Sequence, residues 1–554
     1  MPADLAFVSG AIWTVDPGRP RAEAVAISGG RIVAVGTDDE IRTHVDATTQ
    51  VHDLRGRSLL PGFQDAHVHP APSGVEMLNC DLSEAHSIAE YREIIARYAA
   101  AHPDEEWIRG GGWSMDVFPR GIPTKEELDA IVPDRPVYLP NRDGHGAWVN
   151  TRALELAGVT RDTPDPEDGR IERDGTGEPV GTLQEGATDL VGKLLPAITD
   201  EQWLQGLLTA QAHLHSLGIT AWQDAIVGGP YDSFTAHCTA AERGLLTARV
   251  VGALWWERSL GIEQIDGLIE RRTTGSVGRF APTSVKIMQD GVCENFTAGM
   301  LDPYLGSDGT PTSERGKSFV DPERLKGYVR ALAEAGFQAH FHAIGDRAVR
   351  ECLDAIEAAS DVAGSADLRH HISHIQVVHP NDIPRFAALG AVANGQPLWA
   401  AYEPQMSQLT IPFLGQPRAS WQYPFGSLLR SGARLAFGSD WSVSSPDPLE
   451  EIHVAVNRMQ PADYPYGSDD PLESEPFLPE ERISLAAAVE AFTLGTAYVN
   501  HLDEQTGTIT EGKLADLAVL DRDLFEEGDE HISEASVELT LVEGDVVYEA
   551  PSFR

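Results

Sequence analysis

The stretch LLPGFQDAHVH, residues 59–69, opens on a Pro-Gly turn, continues through apolar residues and ends in two histidines two positions apart. On a strand, side chains alternate between faces, so His67 and His69 project to the same side and can share one cation. Seven further short apolar runs follow: GITAWQDA (218–225), RVVGALWW (249–256), TSVKIMQDG (283–291), FQAHFHAIG (337–345), HHISHIQ (370–376), GAVANGQP (390–397) and RLAFGSDW (434–441). Amphipathic helical stretches such as PERLKGYVRALAEAGF separate several of them. Strands and helices alternating in this number spell a (β/α)8 barrel, whose chemistry collects at the C-terminal ends of the strands.

Outward from the barrel, DLAFVSGAIWTV and EAVAISGGRIVAVG read as short strands with Gly and Asp turns, and the pattern returns in GTITEGKLADLAVLD and VELTLVEGDVVYE. Long unpaired sheet edges are rare, so residues 1–58 and 505–554 are expected to combine in one β-sandwich beside a barrel spanning 59–504. The gap from His69 to Gly218 is too long for one helix. Residues 70–200 are therefore expected to hold an insertion, and because it leaves from the C-terminal end of the first strand it should lie over the barrel mouth. The expected fold class is thus α/β: a TIM barrel with a small sandwich built from both chain ends and an insertion at the mouth.

Among 554 residues, 85 acidic against 42 basic side chains give a formal net charge of −43. Such a surface repels nucleic-acid phosphates and anionic membranes, so neither is an expected partner, and a small-molecule substrate is. The acidic residues are spread along the chain, as on a strongly hydrated surface. Cys80, Cys238, Cys293 and Cys352 are scattered with no C-x-x-C pair, which argues against a disulfide framework or a zinc knuckle. The N-terminal MPADLAFVSGAIWTVD has no basic segment leading into a long apolar run. A cytoplasmic protein is expected, and even-numbered homo-oligomers, such as a homodimer, are the usual form of soluble enzymes.

An H-x-H pair alone is a weak signal, since histidines also serve as hydrogen-bonded core residues. Its weight comes from what stands at the ends of later runs: Lys286, His342, His374 and Asp440, each after apolar residues and before loop chemistry. Together they place three kinds of metal-compatible side chain on one rim of one barrel.

In LLPGFQDAHVHP, DGHGAWVNTRAL, GEPVGTLQEGA, VKIMQDGV, HAIGDRAV, SHIQ, GSDWSV and GTITEGKLADLAVLD the chain resembles the amidohydrolase superfamily, in particular its amidohydrolase-3 branch of YtcJ-like and N-substituted formamide deformylase-like proteins. The resemblance spans nearly the whole chain. It implies that His67 and His69 bind one metal, that a carbamylated Lys286 bridges two, and that His342 and His374 bind the second. Asp440 is then a ligand that also handles the proton. The implied cofactor is a pair of divalent ions, zinc with manganese or iron as alternatives. The chemistry agrees: an ammonium has no lone pair, so Lys286 can ligate only as a carbamate, and paired metals about 3.5–4 Å apart activate water near neutral pH. The implied activity is hydrolysis of a non-peptide carbon–nitrogen bond in a small amide, formamide or carbamate. A mononuclear deaminase or a cyclic amidohydrolase on the same barrel, and a non-catalytic regulatory descendant, are the alternatives.

The family pattern also retains His145 and Glu185, which are expected to contact substrate together with Trp148 from the Gly-punctuated segment DGHGAWVN. Asn150 could offer its amide to substrate from the same segment, and reads equally as the cap, with Thr151 as the other candidate, of the helix TRALELAG that follows the turn. His340 and His370 share strand faces with His342 and His374 but lie deeper, so they are read as residues one layer below the ligands. His371 and His379 are given no role, such histidines being more often surface or hydrogen-bonded loop residues, and Asp346 reads as a cap for a helix starting at Arg347. Trp113, Trp148, Trp399 and Trp441 hint at an aromatic pocket. One departure stands out: the branch commonly has Glu before the sixth-strand histidine, and here the residue is Ser373.

Overall fold

The computed structural model describes residues 2–83, 85–362, 364–462, 464–465 and 471–553. Its centre is one sheet of eight parallel strands in sequential order. In chain order they are Phe63–Val68, Ile219–Val227, Arg249–Trp255, Phe280–Met288, Gln338–Ala343, His371–His374, Val392–Gly395 and Leu435–Phe437. Each falls on one of the apolar runs. They are buried on both faces, which is why they read as near-continuous apolar stretches rather than alternating ones.

The sheet nearly closes into a barrel, and its first and eighth strands join at the rim. There the N–H of Asp440 donates to the carbonyl of His67 at 2.7 Å, and the N–H of His69 donates to the carbonyl of Trp441 at 3.0 Å. Gly438 permits this approach, because a Cβ at that position would lie 2.4 Å from the backbone nitrogen of His67.

Residues 59–69 are not one strand, as the sequence suggested. Ser58–Pro61 pairs with Leu517–Leu520 and with Ala11–Trp13 in an outer sheet, and only Phe63–Val68 enters the barrel. The switch falls at Gly62, where a Cβ would lie 2.4 Å from Thr220 Cγ2, so the chain can pass from one sheet to the other only through a bare backbone.

That outer sheet has six strands and mixes the two chain ends, in the order Asp545–Glu549, Val537–Val542, Leu517–Leu520, Ser58–Pro61, Ala11–Trp13 and Arg21–Ala22. A four-stranded sheet, Arg31–Gly36, Ala24–Ser28, Leu5–Val8 and Gln50–Asp53, faces it. Phe7, Val25 and Ile27 of the smaller sheet share a buried cluster with Ile12, Leu59, Leu517 and Leu539 of the larger. Burial of these apolar faces against each other is what holds the layers together.

Between the first and second barrel strands lies a third sheet, ordered Gly169–Arg173, Pro179–Glu185, Gly146–Val149, Val137–Pro140, Ile108–Gly111 and Cys80–Asp81. It has its own core, in which Trp113, Phe118 and Trp148 pack edge to face. Asn150 caps the helix Thr151–Ala157 by accepting from the N–H of Ala153 at 3.0 Å. Among the described residues no helix is long and apolar enough to cross a membrane, and all four cysteines are unpaired.

Candidate metal centre

The site grows from the ends of five barrel strands. His67 is the penultimate residue of the first strand, and His69 lies just past it at the start of the helix Pro70–Met77. Asp440 follows the eighth strand with φ +58, in the left-handed region that Asp tolerates better than most residues. Asp65 holds this turn in place: it accepts from the N–H of His67 at 2.9 Å and from the Ser439 hydroxyl at 2.6 Å.

Asp440 is the meeting point. Its Oδ1 lies 3.1 Å from Nε2 of His67 and 2.9 Å from Nε2 of His69, and its Oδ2 lies 3.7 Å from Nδ1 of His374. Among the described residues, Oδ1 makes no well-aligned hydrogen bond despite these close nitrogens. Nitrogen and oxygen lone pairs that converge without protons aligned between them are the arrangement a cation satisfies. His67, His374 and Asp440 form a buried set whose ligand atoms lie within 4.8 Å of one another. His374 is fixed from behind, since its N–H and its Nδ1 both lie 3.0 Å from Oε1 of Gln396. Trp399 stacks on its ring at 5.4 Å.

Lys286, on the fourth strand, is buried with Nζ 3.3 Å from Nε2 of His67. His342, on the fifth, packs against His374 with ring centroids 4.5 Å apart, but its Nε2 faces the carbonyl of Gly291 at 3.3 Å. The structure thus brings His67, His69, Lys286, His374 and Asp440 together, with His342 beside them and turned aside.

Protonation follows from burial and proximity. Burial, with Lys286 nearby, pulls His67 down to about 3, and burial first of all holds His342 and His374 well below the usual imidazole range. Burial also lowers Lys286 to about 7. For Asp440 burial acts upward, yet His67, His69 and His374 outweigh it and hold the carboxyl well below its ordinary value. Neutral imidazoles and an ionised carboxylate are the forms in which these groups bind metals.

The insertion brings His145 to the same mouth. Its Nδ1 lies 3.0 Å from Oε2 of Glu185, and its ring lies 5.6 Å from that of His342. Burial pulls this imidazole down, but Glu185 and Asp143 more than compensate and raise it to about 9. Glu185 is steadied by the Thr297 hydroxyl at 2.6 Å.

Trp148, three residues on, does not reach the mouth. It is fully buried in the core of the insertion, and its indole N–H donates to the carbonyl of Thr124 at 2.8 Å. Trp113 lies in the same core; Trp399 stacks on His374, while Trp441 follows Asp440 in the chain and packs its ring against His213 at 5.1 Å. His371 is buried rather than exposed, with its ring 4.1 Å from that of His340. His379, the other histidine given no role, accepts from the N–H of Asn381 at 3.1 Å. Asp346 is the first residue of its helix, not a cap before it, and accepts from the N–H of Leu301 at 2.9 Å.

Sequence reasoning missed Asp65, Gln396 and Asp290. Asp65 had a signal, since D-A-H-V-H continues the same period-two face. Asp290 accepts from the N–H groups of Gly299, Ile344 and Gly345 at 2.8–3.0 Å and so pins the loop after the fifth strand. Nothing local in the sequence marks it or Gln396.

A model of the amidohydrolase family matches residues 50–548. The chain belongs to that family. Protein LONG AFTER FAR-RED 3 of Arabidopsis thaliana is 30% identical to this amidohydrolase, over 99% of this chain and 92% of its own. The N-substituted formamide deformylase of Arthrobacter pascens is 26% identical, over 99% and 98%. Among solved structures, an uncharacterized metal-dependent hydrolase from Pyrococcus horikoshii OT3 superposes with a TM-score of 0.73 at 25% identity, covering 95% of this chain and 99% of that one. The chain is accordingly a hydrolase of the amidohydrolase family.

Proposed function

We propose that this amidohydrolase cleaves the carbon–nitrogen bond of a small amide, formamide or carbamate at a centre of two divalent ions, zinc by first choice. His67, His69, His342, His374 and Asp440 would hold the ions, and Lys286, carbamylated by CO2, would bridge them. The observation that carries the reading is the convergence of two imidazole nitrogens on Oδ1 of Asp440, with Nζ of Lys286 3.3 Å from Nε2 of His67. An ammonium there would repel a cation, whereas a carbamate supplies two oxygens and a negative charge. When bound, the ions supply Lewis acidity and lower the pKa of water.

The remaining steps fall to side chains. Asp440 takes the proton of the attacking water as the new carbon–oxygen bond forms, then delivers it to the nitrogen as the carbon–nitrogen bond breaks. His145, fixed by Glu185, faces the substrate carbonyl from the insertion side. A cavity of about 60 Å³ adjoins the centre, with Trp399, Tyr423, Met406, Arg142, Glu294 and Glu403 in its lining. It would receive the group carried by the nitrogen. The kinship with a formamide deformylase supports N-substituted formamides as the first substrates to try.

The test is elemental analysis of protein loaded with metal in bicarbonate, beside Lys286→Ala, followed by a screen of formamides and N-acyl compounds. Two ions per chain, falling in the variant, are expected. One ion in both proteins would favour a mononuclear hydrolase or deaminase at His67, His374 and Asp440, a reading suggested by the orientation of His342 toward Gly291.

A further inference from the structure

Behind His67, on the side away from Asp440, two buried polar residues stand that have no part in the chemistry above. Nδ1 of His67 is 2.8 Å from Nε2 of His340 and 2.9 Å from Oγ of Ser373, and the last two are 3.0 Å apart. All three residues are buried. Three polar atoms in a near-equilateral triangle, shut away from water, must divide their protons among themselves.

The division decides whether His67 can ligate. Its Nε2 faces Asp440 and Lys286, so binding a metal through that atom requires the ring proton to sit on Nδ1. From Nδ1 the proton has two exits. It can bond to the Ser373 oxygen, whose own hydroxyl then donates to Nε2 of His340, or it can bond to Nε2 of His340 directly. Both end on the same lone pair, which places the proton of His340 on Nδ1. In the opposite arrangement His340 donates to His67, and the Nε2 of His67 carries a hydrogen that blocks it as a ligand. Nδ1 of His340 has no hydrogen-bond partner among the described residues, so nothing on that side of the ring dictates the tautomer.

We infer that His340 and Ser373 are positioning residues, a neutral acceptor pair that holds the proton of His67 on Nδ1 and thereby presents its Nε2 to the metal. The inference rests on the proposed metal centre and goes beyond it, since neither residue is a ligand there. Ser373 is also the position at which the sequence departs from the family pattern.

The test is the affinity of the metal-stripped protein for Zn²⁺, measured in competition with a chromogenic chelator. His340→Ala should weaken binding by about 10–100-fold, the range seen when a ligand's hydrogen-bond partner is removed. His340→Gln, whose amide oxygen can accept, should restore most of it. His371→Ala is the packing control: His371 lies against the His340 ring, and its loss should leave zinc affinity unchanged. Ser373→Ala is a smaller perturbation for use if His340→Ala does not fold, and should weaken zinc by about tenfold. Parental affinity in His340→Ala or Ser373→Ala, no recovery in His340→Gln, or an equal loss in His371→Ala would overturn the inference. A parent that binds no zinc at all would overturn the proposed function along with it, whereas tight binding in both parent and His340→Ala would overturn only the positioning role.

Discussion

Two histidine pairs with the same spacing, His67–His69 at the end of the first barrel strand and His340–His342 on the fifth, have different fates. In the first pair both Nε2 atoms reach Asp440, at 3.1 and 2.9 Å. In the second, His340 lies in mid-strand and meets the back of His67, while His342 stands near the strand end against His374. Period-two spacing tells which face of a strand a side chain occupies and nothing of its depth. Depth relative to the rim separates a candidate ligand from a residue that supports one.

The largest effect should come from the group on which the rim residues converge. Asp440→Asn keeps the shape and removes both the charge and the base, so kcat/KM on a hydrolysed formamide should fall by about 10²–10⁴-fold, the usual worth of general acid–base catalysis, and metal content should fall with it. A variant with parental turnover would move the proton chemistry elsewhere. Next, His69→Ala should weaken zinc by more than the about 10–100-fold ascribed to an outer partner such as His340. If the two variants lose equally in the chelator competition, depth does not separate their roles.

The two pairs also mark how far the sequence could be read. All eight barrel strands were legible, because parallel strands buried on both faces leave apolar runs that survive without an alignment. The run at 59–69 was over-read because Ser58–Pro61 and Phe63–Val68 are both apolar and extended, and periodicity does not say which sheet a strand joins. The candidate ligands were legible from position at strand ends. Their supports were not: Gln396 holds His374, and Ser439 and Asp65 hold each other, across different strands, so the partners are adjacent only after folding. His371 stayed without a role, because no local rule reveals that both faces of a barrel strand are covered.

A smaller effect should appear in the dependence of stability on pH. His145 is raised from 6.5 to about 9 in the folded protein, so its contribution is full below 6.5 and is lost as pH rises through 9. Glu185 is lowered from 4.5, so its contribution is full above 4.5 and is lost as pH falls through its folded value. The pair therefore stabilises most between about pH 4.5 and 6.5. Thermal midpoints followed across pH should fall on the alkaline side in the parent, and His145→Asn should flatten that limb. An alkaline limb that persists unchanged in the variant would place its origin in another group.

The smallest effect on activity is expected three residues away, at Trp148, which shares its segment with His145 but not its exposure to the mouth. Phe at this position keeps an aromatic ring between Trp113 and Phe118, whose centroids lie 6.2 and 5.1 Å from that of Trp148. It removes the indole N–H and leaves the part-buried carbonyl of Thr124 without that donor, a loss of about 0.5–1.5 kcal/mol, the net worth of one hydrogen bond. Because the change stays within the core of the insertion, Trp148→Phe should lower the thermal midpoint while leaving KM and zinc affinity at the parental values. His145→Asn, at the mouth end of the same segment, should do the reverse and raise KM or lower kcat, with little cost in stability above about pH 9, where the contribution of His145 is lost. If instead Trp148→Phe changes KM as much as His145→Asn, the insertion transmits changes in its core to the mouth, and the division between its apolar interior and its polar edge is not a division of function.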